Sequence, residues 1–438
     1  MQIDVSQVGS ELTFTSSLAV DDLEFDGTAT MVRPTATFKL PEDFKLDETH
    51  PDLIALAGLV IFFPWIGSRL DFGFPVSSGF SEAAAKALNI HIPLTSPRIP
   101  KRASGSDARP GLAFSAGVDS MAALAIMPDN TLPMFSYRSA PPPGVGSLYK
   151  ADAALHAVEE MNAAGNETLL IESDHEWVRG PVGFTCDLAP GLPLILLAGY
   201  LKIDAIGFGT IAETAYYATG GRRFDDYAQG ADFTKWQAML HSVDMSFYNG
   251  VAGLSEMCTS AIARQYKFGY LAQPCIRGLV GAPCMSCIKC FRKSLIEASM
   301  SGDWPAESEV SRMMAAKPIR NWLSGFPISM EVVLAASMSE YQGNDPLLLA
   351  LQDRVSAVTG DVSFLHSWYG PSIDPMVPER YRLVTSEAMA KYIPKMTAEQ
   401  EEAFRAFDIT PVMDSKEDDV EQFRAVVKEN LAQRSQLR

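Results

Sequence analysis

Two groups of residues in this chain have types and spacings suited to chemistry. The first is the hexapeptide Ser115-Ala116-Gly117-Val118-Asp119-Ser120, set between the apolar runs 111–114 and 121–126. A strand that ends in so small and polar a turn and passes at once into a helix gathers backbone N–H groups and the positive helix end around one point. That arrangement suits an anion such as phosphate. Ser115 and Ser120 add hydroxyls, and the small residues Ala116 and Gly117 let a ligand approach the backbone. Asp119 is itself an anion, so its fitting role is to hold Mg2+ or to orient the loop. The plain alternative is an ordinary strand-to-helix turn with Asp119 or Ser120 as the cap.

The second group is Cys275, Cys284, Cys287 and Cys290, spaced C-x8-C-x2-C-x2-C. Four thiolates at such spacing suit a tetrahedral Zn2+ closed by protein ligands alone, hence a structural ion without an open position. Gly278, Gly281 and Pro283 let the segment fold back, and Lys289, Arg292 and Lys293 are read as offsetting the thiolate charge. An iron–sulfur cluster and unconnected buried thiols are the alternatives. A third, less specific stretch is the loop 209–227, where Glu213, Arg222 and Arg223 are candidate substrate residues and Tyr216 and Tyr217 offer rings for stacking. Its two arginines suit a carboxylate or phosphate; equally, they suit pairing with Asp225 and Asp226 on a solvated loop.

The elements that must position these residues are legible in outline. Residues 1–105 read as a β-rich accessory domain with one core helix opened by Pro51 and Asp52, a strand at 69–77 and an Ala-rich helix near 81–88. The Pro/Ser/Arg/Gly-rich segment 93–111 marks a linker or an ordered surface loop. From residue 111 apolar strands alternate with helices, the pattern of an α/β protein with a doubly wound parallel sheet, and this domain is assigned to 106–300. Residues 301–438 read as a helical C-terminal region ending in a charged helix.

Composition bounds the partners. With 438 residues, 47% hydrophobic and 20% charged, the chain is an ordinary globular one. A formal charge of −17 repels phosphodiesters, which disfavours nucleic acid as a partner. The longest apolar run, 53–66, is broken by Pro64 and too short to span a bilayer, and no secretory signal is visible. A cytoplasmic protein with no membrane partner is expected, and its six cysteines are then thiols or metal ligands.

The hexapeptide resembles the pyrophosphate loop of the N-type ATP pyrophosphatases, usually S-G-G-x-D-S, with Ala116 standing at the first Gly. Taken with the cysteine spacing and an Arg two residues after the last Cys, the region 110–300 resembles 7-cyano-7-deazaguanine synthase. The resemblance implies an adenine-nucleotide α-hydrolase-like (HUP) fold, with ATP cradled by residues 115–120, Asp119 and Ser120 catalytic, Mg2+ as cofactor and a structural zinc. It also implies a ligase that adenylates a carboxylate, releases pyrophosphate and AMP, and puts nitrogen in place of oxygen to give an amide or a nitrile. Where that family carries Leu-Ser/Thr-Lys, this chain has Leu254-Ser255-Glu256, so the deazaguanine substrate is not carried over. The acceptor is then a small-molecule carboxylate or a protein or peptide, in which case the chain is a modifying ligase. A homodimer, or association with proteins encoded in the same operon, is left open. Two further functions share the loop: ATP-dependent sulfur transfer to a tRNA base, which needs a reactive Cys186 or Cys258, and a non-catalytic nucleotide-binding subunit.

Overall fold

The computed structural model describes residues 1–217, 222–413, 421, 423–429 and 432, so the expected charged helix at the C-terminus lies largely outside the described residues. The strands are β1 (Gln2–Val8), β2 (Glu11–Ser17), β3 (Thr30–Met31), β4 (Thr35–Lys39), β5 (Arg109–Ala113), β6 (Leu132–Arg138), β7 (Leu169–Ser173), β8 (Arg179–Gly180), β9 (Ile203–Gly207) and β10 (Ser246–Tyr248). Eight of them form one sheet in the order β1-β2-β4-β7-β6-β5-β9-β10, and β3 pairs with β8. From β7 through to β10 every pairing is parallel, whereas β1, β2 and β4 add to the β7 side antiparallel. The protein is therefore α/β with a mostly parallel sheet. The N-terminal strands, read from sequence as the start of a separate β-rich domain, extend this same sheet.

Burial follows the pairing. The inner strands β5 and β9 are almost continuously buried, as parallel strands are, while β2 alternates between covered and open positions. The expected strand at 69–77 does not form; it makes single bridges, Asp71 to Gln2, Arg69 to His91 and Val76 to Thr95. Gly73 within it has φ +68, which turns the chain away from extended geometry.

The helices are α1 (Pro51–Phe62), α2 (Ser78–Leu88), α3 (Val118–Ile126), α4 (Asp152–Ala163), α5 (Leu192–Leu196), α6 (Ala212–Ala215), α7 (Ala231–Ser242), α8 (Glu256–Gln265) and α9 (Ile288–Ser301), followed by α10 to α17 between Glu307 and Met413. Helix α1 begins where expected. Pro51 needs no N–H in the first turn, and from Leu53 to Phe62 the residues are apolar and buried on every side, so it is a core helix.

The chain divides into two compact units that interleave in sequence: Met1–Ser115, Pro128–Phe208 and Ala228–Asn249 form one, Ala116–Met127, Gly209–Tyr227 and Gly250–Arg438 the other. Neither coincides with a contiguous stretch such as 1–105 or 106–300. The first unit holds the eight-stranded sheet and runs unbroken through the Pro-rich segment 93–111. That segment is tied down, not a free linker: the buried Arg102 guanidinium donates to the carbonyls of Ala198, Ile203, Val243 and Asp244 at 2.8–3.2 Å. The second unit is helical, with α3 packed on α8 and α9 on α12 (Glu331–Met338). No helix among the described residues is long and apolar enough to cross a membrane.

Candidate functional site

In the second unit residues 116–120 of the hexapeptide form a turn into α3, but its cap is neither Asp119 nor Ser120. Gly117 is the N-cap and has no side chain to offer the helix end. Ser120 is buried, and its hydroxyl donates back to the Gly117 carbonyl at 3.0 Å. Ser115, the last residue of the first unit's opening segment, is exposed, and Val118 is half-buried. Ala116 is fully buried with φ +54, the left-handed region in which the pyrophosphate-loop pattern has glycine. Its carbonyl accepts from the Gln273 N–H at 2.8 Å, and Gly117 bridges to Gln273, so a second segment staples the turn. Gly209 lies close by: a Cβ there would be 3.1 Å from the Ser120 nitrogen, tighter than an ordinary contact.

Asp119 stands at the head of a charged cluster built by four helices. Thr259 of α8 donates its hydroxyl to Asp119 Oδ1 at 2.7 Å, and Lys293 Nζ of α9 lies 3.3 Å from the same oxygen. Lys293 Nζ is also 2.9 Å from Glu256 Oε1. Arg292 grips Glu256 with its Nε and, at 3.1 Å, with a terminal nitrogen. The sequence reading of Arg292 and Lys293 as neutralising the thiolates is thus corrected: both are taken up by Glu256 and Asp119, and Lys289 is exposed. Burial would raise the Glu256 carboxyl, but Lys293 and Arg292 outweigh it and hold the group below its ordinary value. Conversely, burial would lower the Lys293 ammonium, and Asp119 and Glu256 together raise it.

Glu213 of α6 completes the cluster at the start of α8. Both its carboxyl oxygens accept the Glu256 backbone N–H at 3.1 Å, so it caps the first turn of α8. Ser255, the N-cap of that helix, receives the Cys258 N–H. Burial, then the neighbouring Glu256 charge, pushes Glu213 up to about 8, which keeps it mostly protonated at neutral pH. Its place is structural support within the cluster. The other candidates of its loop lie elsewhere. Arg222 and Arg223 are exposed and their backbone pairs with Asp408 and Ile409. Tyr216 and Tyr217 are not available for stacking on a ligand: both are buried among Phe224, Tyr369, Phe404 and Phe407. Residues 218–221 of the loop lie outside the described residues.

Cys275, Cys284, Cys287 and Cys290 come together with their sulfurs all within 4.8 Å of one another. Cys284 and Cys290 are 3.7 Å apart at Sγ, against the roughly 3.8 Å edge of a tetrahedron with Zn–S bonds of about 2.3 Å. The four thiols therefore fit one ion. Hydrogen bonds from Cys290, Cys284 and Cys275 lower the Cys287 thiol, while the hydrogen bond to Cys287 and burial raise Cys290. The fold-back that brings Cys275 to the others is a tight turn in which Leu279 and Ala282 exchange hydrogen bonds at 2.9 and 3.0 Å. It needs Gly278, where a Cβ would lie 2.8 Å from the Ala282 carbonyl oxygen, and Gly281, at φ +64. Cys287 also caps α9 by accepting the Cys290 N–H, so the cysteine cluster orients the helix that carries Arg292 and Lys293. Burial raises the two remaining thiols, Cys186 and Cys258, each to about 12, and Cys258 donates to the Leu365 carbonyl at 3.2 Å.

Thr259 and the Lys293–Asp119 pair went unread in the sequence, which gives no local signal for either. Residues 235–408 match the model of a family of unknown function, DUF6395. The match takes in Glu256, Thr259, the four cysteines and Lys293 and stops short of Asp119 and Glu213. No curated protein and no solved structure matches the chain.

Proposed function

We propose that this chain is an ATP-dependent ligase that activates a carboxylate as its adenylate and passes it to a nitrogen nucleophile. The observation that carries the reading is Asp119, held by Thr259 and Lys293 at the first turn of α3, directly after an inner parallel strand. From β5 the sheet proceeds to β6 and β7 on one side, and the chain then returns to β9 and β10 on the other. Such a reversal of strand order is a feature of doubly wound sheets, and the segments bearing Asp119 and Glu213 follow β5 and β9 in the chain. A HUP-like fold is the finer form of this reading.

In this reading the loop 115–120 binds the phosphates, and a carboxylate oxygen of the acceptor attacks the α-phosphorus as the bond to pyrophosphate breaks. Ammonia or an amine then attacks the activated carbonyl, AMP leaves with the former carboxylate oxygen, and a proton is lost to solvent. The gain is a leaving group, because oxide cannot be expelled and AMP can. Mg2+ held by Asp119 would supply charge compensation for the pyrophosphate, in the usual manner of preorganised electrostatic sites. Zinc at the four cysteines would serve the fold alone, since four thiolates leave it no open position. The high thiol pKa values of Cys186 and Cys258 weigh against sulfur transfer, which needs a thiolate.

The test is carboxylate-dependent exchange of labelled pyrophosphate into ATP, run over a panel of acids with Mg2+, together with identification of the nucleotide product. Exchange with release of AMP is expected, and Asp119→Asn should abolish it. ADP as the product overturns the assignment.

A further inference from the structure

We infer that Lys293 is the phosphate-binding cation of this site, with Glu256 its tether and Asp119 the partner it relinquishes when nucleotide arrives. The inference deepens the ATP reading above and rests on it.

Lys293 is held unequally. Its Nζ is 2.9 Å from Glu256 Oε1, a full-strength contact, but 3.3 Å from Asp119 Oδ1 and 3.4 Å from Ser260 Oγ, both at the weak end for N–H···O bonds. Glu256, meanwhile, is already matched by the Arg292 guanidinium, which reaches both of its oxygens. One carboxylate thus serves two cations, and the second negative charge that the pair needs comes from Asp119. Asp119 is also the member that meets solvent: its side chain is 31% exposed, against 11% for Lys293 and 1% for Glu256.

An anion settling at the 115–120 turn therefore finds one cation that can change partner without leaving its support. A lysine suits such an exchange, because its ammonium is a compact charge with three donors on a flexible stem. Arg292, locked on Glu256 through a planar fork, does not. Once the phosphates take Lys293, Asp119 is released to face the divalent cation that accompanies them. Glu256 stays in place throughout, and its position explains why an acid stands there: it holds a lysine supplied from α9.

The experiment measures affinity, not turnover. ATP with Mg2+ and, separately, adenosine as a probe without phosphate are titrated calorimetrically into the full chain. Lys293→Met should weaken Mg-ATP by about tenfold to a hundredfold, the worth of a charge-assisted hydrogen bond, and leave adenosine unchanged. Lys289→Met, which removes the same charge from an exposed position on the same helix, should leave both unchanged. Should Lys293→Met fail to fold by circular dichroism, the double variant E256Q/K293M removes acid and cation together and is expected to show the same selective loss. Wild-type affinity for Mg-ATP in either Lys293 variant, or an equal loss in Lys289→Met, overturns the inference. If the wild-type chain itself binds no Mg-ATP, the ATP reading fails instead, and the inference falls with it.

Discussion

Replacing Glu213 by Gln isolates the most perturbed acid of the cluster. Burial and the Glu256 charge lift the Glu213 carboxyl from 4.5 to about 8 in the folded chain. Between those values the folded state keeps a proton that the unfolded chain releases, so stability falls as pH rises through the window and levels off above it. At about 1.4 kcal/mol per pH unit the loss is about 5 kcal/mol in all, of which about 3 kcal/mol has accrued by pH 7. The side chain is buried, so solvent does not screen it. Gln retains an oxygen that accepts the Glu256 N–H at the start of α8, and it does not titrate. The stability of Glu213→Gln relative to wild type should therefore grow by about 4 kcal/mol between pH 5 and pH 8.5. Urea unfolding followed by tryptophan fluorescence across that range gives the difference directly. Two pH profiles that run parallel to within about 1 kcal/mol would refute the account, since they would mean that Glu213 ionises in the folded state as freely as in the unfolded chain.

Other expectations follow from the same geometry. Elemental analysis should find about one zinc per chain, and Cys287→Ser should lose the metal and become insoluble or unfold at lower urea, because a structural ion contributes folding energy of several kcal/mol; iron with a visible absorption band would contradict this. Ala116→Gly should stay within about 1 kcal/mol of wild type despite the loss of a buried methyl, since glycine relieves the left-handed backbone, whereas Ala116→Val should cost more than about 2 kcal/mol by urea denaturation. A valine variant as stable as wild type would show that the turn does not require φ +54.

What the sequence determined by itself is local. Pro51 and an unbroken apolar run specify α1 whatever surrounds them, because first-turn chemistry and all-round burial are properties of neighbouring residues. The Ser/Asp turn after β5 and the fold-back around Gly278 and Gly281 are legible for the same reason, and so is the closeness of four cysteines within sixteen residues of chain. The tertiary structure alone decided which charges meet. Lys293 reaches Asp119 across 174 positions of sequence, Thr259 reaches the same Asp119 across 140, and Glu213 meets the α8 start across 43. Nothing near Lys293 in sequence distinguishes a partner of Asp119 from a neighbour of thiolates. The N-terminal strands show the same limit: their alternating pattern marks one covered face, but a β-pattern does not say which strand it will pair with, and β4 chose β7. Nor does the pair Tyr216-Tyr217 announce whether its rings face a ligand or Phe404 and Phe407. Ionisation is more remote still, because the protonated state of Glu213 comes from burial and from the Glu256 charge, and both exist only once α6 and α8 are packed together.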